Sequence, residues 1–428
     1  MRGVYVLLLI SLFGYAGRVG GQESVTITQC YEWARANYPQ IHQMGLIDQT
    51  ERYSLSNVGK AWLPQLSVSG KASYQSDVTK LPFDGDKISS LLPGFEIPSL
   101  SKDQYQVVAQ VDQTIWDGGS TRSARALTRA EAIANREQLE SELYALNDRV
   151  NQIYFGCLLQ DELIRQNALL QKELQVNIER IEAMMENGVA NQSDLESMEV
   201  ELLNARQNEI ELKASRTVYR QMLATFINKP LTDQVVLKTP ESPERSLFTQ
   251  INRPELRALD AKSEWIETQN KQVTAGLMPR IGAFVQGGYG RPGLNMLEDS
   301  FEPYYVAGVR LSWNLGKLYT LKNDRRKIEV SRRQIDVQRE TFLFNTRLQL
   351  LQQNTEIKKM TDLMRADDDI IRLRTSIKQA AEVKLENGVI SVTDLIREIN
   401  AEDMARQTAA AHRVQRLMTI YNYMYTTN

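Results

Sequence analysis

The amino-acid sequence predicts a mixed membrane α/β protein in which one structural unit, a β-hairpin followed by long coiled-coil helices, is present twice. Three observations predict this fold class. The chain of 428 residues contains an internal repeat, four of its segments alternate apolar and polar residues, and its helical segments are too long for a compact domain. Because each copy contains two of the alternating segments, we expect four strands per chain.

The internal repeat is clearest in two short stretches, ENGVANQSDL at 186–195 and ENGVISVTDL at 386–395, which agree at six of ten positions. Motifs earlier in the chain recur at an offset of 215 residues, whereas Tyr105 and Tyr305 are offset by 200. The difference of 15 residues places a longer insertion, rich in Pro, Gly and Ser, between Tyr74 and Tyr105 of the first copy.

The repeat divides the chain into predicted parts. We expect a first repeat at 23–228, a linker at 229–245 in which three prolines interrupt any helix, and a second repeat at 246–428. Two units of this length indicate a duplicated domain rather than a solenoid.

Residues 1–22 are predicted to be a signal peptide. Arg2 precedes a predominantly apolar run from Val4 to Phe13, and small residues follow that run. Such a run is too short to span a bilayer as a helix and is typical of the apolar core of a signal peptide. We therefore expect the mature chain to leave the cytoplasm, and the absence of another long apolar run predicts no transmembrane helix.

Long helices are predicted in both copies. Between 122 and 187 the apolar residues follow the 4-3-4-3-4 spacing of a coiled-coil seam, with Leu139, Leu143, Leu146, Val150, Ile153 and Cys157 as its members. A helix of ~65 residues measures about 100 Å, which no compact domain of this size accommodates. Residues 318–387 of the second copy form a segment of comparable length with a less regular seam.

Four segments carry the period-2 alternation of strands with one apolar face, and we predict strands at about 64–75, 105–116, 279–290 and 304–315. Each strand has about ten residues, the length that a tilted strand needs to cross a bilayer. Aromatic residues stand at both ends of the strands, as expected at membrane interfaces, and they are Trp62, Tyr74, Tyr105, Tyr289, Tyr305 and Trp313.

A sheet in lipid must be closed, because lipid offers no hydrogen bonds to a free sheet edge. Four strands are too few, since about eight form the smallest membrane barrel. Several chains must therefore pool their strands. Two chains would give eight strands and three would give twelve, and the alternation itself leaves both assemblies open.

The motifs NYPQI, WLPQL, QTIWDGG and ENGV…SDL, with their second-half counterparts, resemble those of the TolC-type outer-membrane efflux protein family over nearly the whole mature chain. The resemblance implies a homotrimer in the outer membrane, with a 12-stranded barrel and a periplasmic α-barrel. It also implies a periplasmic adaptor (membrane fusion) protein and an inner-membrane transporter of RND or ABC type as partners. The expected function is the passive exit duct of a tripartite efflux pump or a type I secretion system.

The repeated ENGV stretches are predicted to be tips of helical hairpins, at about 186–194 and 386–394. Glycine adopts the left-handed conformation found just after a helix end, so Gly188 and Gly388 are expected there. Ser193 and Thr393 are expected as N-caps of the returning helices, and Ser193 with Glu196 fits a capping box. The family resemblance assigns adaptor docking to these tips, through Gly188, Val189, Gly388 and Val389; the alternative is that they are turns with no other role.

Two carboxylates at the tips are candidates for a pore entrance. By resemblance, Asp394 matches an acidic entrance position of relatives, where a ring of carboxylates attracts cations. Arg397 and Ile390 depart from the pattern of some relatives, which have a second carboxylate and a basic gating residue there. For Asp194 a role at a helix N-terminus is favoured, because the helix dipole stabilises a carboxylate there. For Asp394, a role in the pore gate and a role as a helix cap are both retained as alternatives.

A group of cations just after the strands repeats at offset 200, and it comprises Arg122, Arg125, Lys322, Arg325 and Arg326. Inner-leaflet phospholipid headgroups are one expected counterpart, and a solvated or carboxylate-paired surface is the favoured one.

Composition excludes several other classes. A net charge of −2 argues against nucleic-acid binding, and two cysteines with two histidines argue against a zinc site or a disulfide scaffold. Cys30 and Cys157 are expected as unpaired core residues. We expect no catalytic residue, metal or cofactor. The alternatives are a secreted structural coiled-coil protein without channel activity and a periplasmic enzyme with long helical arms; the transported substrate is not predicted.

Overall fold

The computed structural model describes residues 24–78, 100–242, 250–295 and 298–428. The predicted signal peptide, most of the insertion between Tyr74 and Tyr105, and residues 243–249 at the end of the linker lie outside these residues. The described chain forms two compact units. The first contains the described residues of 1–41, 141–253 and 344–428, and the second contains those of 42–140 and 254–343.

The helices and strands follow one another along the chain in this order: β1 Ser24–Val25, α1 Ile27–Asn37, α2 Gln43–Gly59, β2 Gln65–Tyr74, β3 Asp103–Trp116, α3 Ser120–Tyr144, α4 Leu146–Glu186, α5 Gln192–Ile227, β4 Val236–Leu237, α6 Pro254–Ala275, β5 Arg280–Arg291, β6 Glu302–Ser312, α7 Lys317–Glu386 and α8 Val392–Thr427. Short 3₁₀ turns at 39–42 and 60–62 flank α2. None of the described helices has the length and hydropathy needed to cross a membrane.

The second unit contains an antiparallel four-stranded sheet in the order β2-β3-β5-β6. The two hairpins of the chain are neighbours in this sheet, because β3 pairs with β5. The outer strands β2 and β6 are hydrogen-bonded on one side only within the described residues. The outward-facing backbone groups of both outer strands therefore have no strand partner in the described part of the chain.

The strand register collects most of the apolar residues of the four strands on one face, whereas Val108, Phe284 and Val306 lie on the other. Val68 lies opposite Ala109, Ala109 opposite Gly287, and Gly287 opposite Tyr305. Residues directly opposite each other in a sheet share a face, so the row continues across the sheet. The next row of this face joins Leu66, Val111, Val285 and Ala307.

This apolar face is exposed in the described part of the chain. Val68 is 70% exposed, and Val309 and Val285 on the other hairpin are 69% and 54% exposed. The opposite face is largely polar, with a row formed by Ser67, Gln110 and Gln286. An exposed apolar surface of this size marks a site of contact with a membrane or a partner.

The helices of the second unit are joined by ion pairs and a small apolar cluster. Arg136 of α3 lies 2.8 Å from Asp48 and 2.5 Å from Glu51 of α2. Arg339 of α7 lies 2.8 Å from Asp260 of α6. Ile266, Ile328 and Ile335 are buried together between α6 and α7.

The first unit has its apolar core where α1, α4 and α5 meet the short strands β1 and β4. Tyr154 is fully buried there, and its hydroxyl lies 2.9 Å and 2.7 Å from the carbonyl oxygens of Val25 and Lys238. Cys30 and Cys157 belong to the same core as buried free thiols. Burial raises the pKa of each thiol to about 12.

The long helix predicted over 122–187 is interrupted once in the structure. α3 ends at Tyr144 and α4 begins at Leu146, while Ala145 keeps helical dihedral angles of φ −61° and ψ −17°. The coiled-coil residues on either side are buried. In the second copy α7 runs without a break over 70 residues.

Each strand begins and ends within three residues of its predicted bounds, and the largest difference is at the end of β6. This strand ends at Ser312 instead of 315. Asn314 then turns the chain toward α7, because its side-chain oxygen accepts a hydrogen bond from the backbone N–H of Gly316 at 3.1 Å. Trp313 therefore lies outside the strand, where its indole N–H donates to the carbonyl of Leu277 at 2.9 Å.

Candidate functional site at the helical hairpin tips

Two hairpin tips lie in the first unit, one where residues 187–191 join α4 to α5 and one where residues 387–391 join α7 to α8. Both loops have five residues and stand at equivalent places in the repeated sequence. They occupy the positions of the predicted tips at 186–194 and 386–394.

Both preceding helices end in the same way. Gly188 and Gly388 have φ values of 70° and 66°, the left-handed conformation that the sequence predicted for them. The N–H groups of Gly188 and Val189 donate to the carbonyls of Met185 and Met184, each at 2.9 Å. This pair of bonds is a Schellman motif, and Gly388 and Val389 form the same pair at 2.9 and 2.8 Å.

The returning helices begin two residues earlier than predicted. The N-caps are Asn191 and Ser391, so the prediction of Ser193 and Thr393 as caps was wrong. Asn191 and Ser391 have extended backbones directly after the Schellman turns, which leaves Ser193 and Thr393 inside the first helical turn. The predicted capping box of Ser193 with Glu196 is correspondingly replaced by one that uses Asp194.

Asp194 and Asp394 complete capping boxes at the two helix starts. The Asp394 N–H donates to the Ser391 hydroxyl at 3.2 Å, and the Ser391 N–H donates to the Asp394 carboxylate at 3.2 Å. Asp194 has the same reciprocal bonds with Asn191, both at 3.1 Å. The hydrogen bonds from Ser391 hold the pKa of Asp394 below its ordinary value. The expected helix N-terminal role of Asp194 therefore has direct geometric support, and Asp394 shares it.

Arg397 lies beside Asp394 on the surface of α8. Its guanidinium is 3.4 Å from the Asp394 carboxylate and 3.4 Å from Glu398. Both Arg397 and Asp394 are accessible to solvent. The carboxylate expected at an entrance therefore has a cation within reach.

The two hairpins share an apolar core close to their tips. Its residues come from α4, α5, α7 and α8, and the most deeply buried are Ile181, Met198, Leu395 and Ile399. Ala190 and Ile390 in the loops pack against this core, whereas Val189 and Val389 point away and are 59% and 69% exposed. Each tip thus presents one apolar side chain outward and buries the next.

A buried ionic network joins the hairpins behind the core. Lys378 of α7 lies 2.6 Å from Glu402 of α8 and also pairs with Glu173 of α4. Glu402 is only 1% exposed, and it accepts further hydrogen bonds from Thr375 and Arg406, each at 2.5 Å.

The pKa values of this network reflect its partners. Burial acts to raise the pKa of Glu402, but hydrogen bonds from Lys378, Thr375 and Arg406 hold it below the ordinary value. Asp403, which lacks a lysine partner, has its pKa raised to about 6 by burial and by the nearby charges of Glu173 and Glu402. Sequence reasoning did not find this network, because Lys and Glu at these spacings also occur on solvated helix faces.

The six predicted interface aromatics stand at the two ends of the sheet in the second unit. Tyr74, Tyr105, Tyr289 and Tyr305 lie at the hairpin ends and on the apolar face, where Tyr305 is 79% exposed. Trp62 and Trp313, at the other end, are 39% and 59% exposed. Phe301 stacks on Tyr105 and Tyr289, with ring centroids 6.4 and 5.6 Å apart, and was not predicted.

The structure also gives a role to the WDGG motif, which sequence reasoning had used only as a marker. The Asp117 carboxylate accepts hydrogen bonds from the backbone N–H groups of Gly119 at 2.9 Å and Thr121 at 2.6 Å. It therefore caps α3 directly after β3. An Asp three residues before the first residue of a helix is a signal that could have identified this cap.

Comparison with known proteins gives the class of this fold. Residues 30–229 match the family model described as outer membrane efflux protein. A search of curated proteins found no match. Among solved structures, the outer membrane protein VceC from Vibrio cholerae has a TM-score of 0.65 at 11% identity, covering 94% of this chain and 96% of that one.

Two further outer-membrane channels have the same fold with similarly low sequence identity. The open state of the Neisseria gonorrhoeae MtrE outer membrane channel has a TM-score of 0.64 at 15% identity, covering 94% of this chain and 88% of that one. The outer-membrane channel OprN has a TM-score of 0.66 at 14% identity, with coverages of 94% and 89%.

The family match of residues 30–229 and the fold shared with solved outer-membrane channels support an efflux-type outer-membrane channel protein that combines a small sheet with long helices. The predicted resemblance to the TolC-type outer-membrane efflux protein family is thereby confirmed, both for the sequence of the first repeat and for the fold. This family and the similar structures are channel proteins, not enzymes.

Replacing Gly388 with Ala should destabilise the second tip. No atom lies within 4 Å of the position that a Cβ would take, so the cost comes only from the positive φ and should be about 1 kcal/mol. The midpoint of thermal loss of helical circular dichroism should fall. The matched control is Gly45→Ala within α2, where a Cβ also meets open space and the change should stabilise the helix. Equal effects of the two substitutions would contradict the assigned turn.

Replacing Lys378 with Met should destabilise the packing of the two hairpins. It leaves the buried Glu402 carboxylate short of a charge partner, for which a loss of about 3 kcal/mol in the free energy of unfolding is expected. The control is Lys359→Met, which removes an exposed pair with Glu356 and should cost less than about 1 kcal/mol. Chemical denaturation of the detergent-solubilised protein measures both, and comparable losses would show that the network carries no special stability.

Proposed function

We propose that this chain is one subunit of a homotrimeric outer-membrane exit duct that serves a tripartite efflux pump or a type I secretion system. The observation that carries the proposal is the sheet, which has one continuous apolar face and two free edges. The duct is passive, and the energy for transport comes from an inner-membrane transporter of RND or ABC type. A periplasmic adaptor protein connects the two.

The free edges of β2 and β6 support an assembly of several chains. Unpaired backbone N–H and C=O groups cost several kcal/mol each in lipid, so membrane-spanning sheets occur as closed barrels. Joining β6 of one chain to β2 of the next satisfies both edges at once. Three chains with four strands each give the 12-stranded barrel that the family resemblance implies, whereas two chains would give eight.

The polar face of the sheet is suited to a water-filled lumen. Ser67, Gln110 and Gln286 form one of its rows, and Arg310 lies 3.7 Å from Asp112 on the same face. Membrane barrels alternate lipid-facing and lumen-facing side chains along every strand. Neutral amides and hydroxyls accept many solutes, so the lining favours a broad range of cargo.

The duplicated sequence supports a helical tunnel built by all three chains. We infer a first repeat at 23–228 and a second at 246–428, each contributing two strands and one helical hairpin. A 70-residue helix such as α7 measures about 105 Å at 1.5 Å per residue. Three chains would supply six hairpin tips in a ring.

We propose that the tips are the surface that contacts the adaptor. Gly188 and Gly388 fix the turns, and Val189 and Val389 supply outward apolar side chains. The proposal excludes a secreted coiled-coil protein. An exposed apolar sheet face with aromatic residues at both ends is not expected in a protein of that class. A helical turn with no docking role would have the same backbone geometry. The proposed docking role is therefore supported by the exposed valines and by the family resemblance, not by the turn itself.

Asp394 and Arg397 are proposed to set the charge at the pore entrance, with Asp194 acting mainly as a helix cap. The close approach of Arg397 reduces the attraction of Asp394 for cations. We therefore propose an entrance with weak ion selectivity.

Val285→Lys tests the barrel. Val285 lies on the apolar face near the centre of β5, and a lysine in lipid at mid-membrane depth costs about 2–4 kcal/mol per subunit. We expect strong loss of the oligomer from the outer-membrane fraction, measured by its heat-modifiable migration. Gln286→Lys is the matched control on the opposite face, and it should assemble as the unchanged chain does. Normal assembly of the Val285→Lys variant would overturn the proposal.

Arg397→Gln tests the entrance. It removes one positive charge per subunit beside Asp394, so the selectivity of the channel for cations over anions should rise severalfold. The reversal potential across a planar bilayer in a KCl gradient measures it. Arg397→Lys keeps the charge and should leave the selectivity unchanged. An unchanged reversal potential in the Gln variant would place Arg397 away from the ion path.

A further inference from the structure

A pocket of about 1100 Å³ lies in the second unit, where β3 ends and α3 begins. Its wall combines two tryptophans, Trp62 and Trp116, with four cations on α3 and α6. The cations are Arg122, Arg125, Arg129 and Lys271. The efflux function described above uses none of these four cations.

The register of the sheet places this pocket at the end of the apolar face. Trp116 lies opposite Ile281, and Ile281 lies opposite Leu311, so all three belong to the face that carries Val285. A second pocket of about 310 Å³ shares Asp117 and Thr121 with the larger one and includes the polar-face residues Asp112 and Arg310. Through Trp116, the larger pocket adjoins the end of the sheet face that meets lipid in the proposed barrel.

The three arginines of the pocket share one face of α3. They stand at positions i, i+3 and i+7, which are neighbours on a helix surface, and all three are exposed. Among the described residues none of them forms an ion pair, and neither does Lys271. Arg136, two turns further along α3, is by contrast paired with Asp48 and Glu51. Of the two surfaces favoured for this group, solvated or carboxylate-paired, Arg122 and Arg125 show the solvated one within the described residues.

Two local features keep this cationic surface open to a ligand. Asp117 also lines the pocket, but its carboxylate is occupied by the backbone N–H groups of Gly119 and Thr121 and so faces the start of α3. Gly59 lies against Arg125, and a Cβ at Gly59 would stand 2.9 Å from the Arg125 guanidinium. The missing side chain leaves room for the guanidinium beside α2.

We propose that this pocket binds the phosphate headgroup of an anionic phospholipid of the inner leaflet of the outer membrane. Arginine guanidinium groups match phosphate oxygens with paired hydrogen bonds. Tryptophan is enriched at the headgroup level, where one side of its ring is apolar and its N–H is wet. The acyl chains of the lipid extend along the apolar face, in line with Trp116 and Ile281.

The inference rests on the proposed barrel, since the apolar face must be in contact with lipid. A free phosphate shares the headgroup chemistry but would gain nothing from the tryptophans or the apolar face. The experiment therefore compares a lipid with inorganic phosphate and first checks the oligomer. If the proposed barrel is wrong, the oligomer is not found. If only the lipid site is wrong, the oligomer is intact but does not bind the lipid as expected.

The test is native mass spectrometry of the detergent-purified oligomer titrated with dioleoylphosphatidylglycerol or with dioleoylphosphatidylcholine. We expect phosphatidylglycerol to bind more tightly than phosphatidylcholine and to resist millimolar inorganic phosphate. The double variant Arg122→Gln/Arg125→Gln should lose roughly 30-fold in affinity for phosphatidylglycerol, because each cation near the membrane surface contributes a few-fold. Arg122→Lys/Arg125→Lys should recover most of that loss.

The matched control is Arg325→Gln/Arg326→Gln, which removes the same charge from exposed arginines of α7 that do not line the pocket. It should bind phosphatidylglycerol as the unchanged protein does. Equal losses in the two double variants would show general charge attraction, and unchanged binding in the Arg122/Arg125 variant would show that another subunit or nothing fills the pocket. Displacement by inorganic phosphate would assign the site to free phosphate. Any of these three results overturns the proposal.

Discussion

The constraint on which the rest of the structure depends is that backbone N–H and C=O groups cannot remain unpaired in lipid. Within one chain, β3 and β5 are paired on both sides and β2 and β6 on one side only. The side chains of the sheet also suit a membrane, since the register gathers most of the apolar residues on one face. Within the described residues, a single chain thus has an exposed apolar surface and two sheet edges without a strand partner. Joining several chains in a membrane would cover that surface and pair those edges.

At the helical tips, which are accessible to water, the backbone groups at the helix ends are also hydrogen-bonded. Their partners are residues of the same tip. The last carbonyls of α4 and α7 are bonded by Schellman turns, and the first N–H groups of α5 and α8 are bonded by Asn191 and Ser391. Because five loop residues satisfy both helix ends, the tips need no partner for their own stability. Their outward valines are consequently available for another role.

The repeated features could be predicted from the sequence, whereas the features that depend on contacts between distant segments could not. Alternation located the strands, and glycine in ENGV located the turns, because both signals are local. The N-caps were misplaced by two residues, since Asn191 and Ser193 are both acceptable caps and only the geometry of the preceding turn selects between them. The pairing of Lys378 with Glu402 could not be predicted, and neither could the absence of ion pairs at Arg122 and Arg125 among the described residues. Both depend on which helices lie side by side.

The order of the strands has a consequence for how such a ring could have arisen. The seam between β3 and β5 joins the two sequence repeats inside one polypeptide, and it has the same antiparallel form as the pairings within each hairpin. A closed wall of three chains would contain three such internal seams and three between chains. Fusing two half-length ancestors would have made half of the seams covalently tethered, so that three molecules rather than six must meet for the wall to close. Each of the two halves could then diverge separately, as the unequal insertion in the first copy already shows.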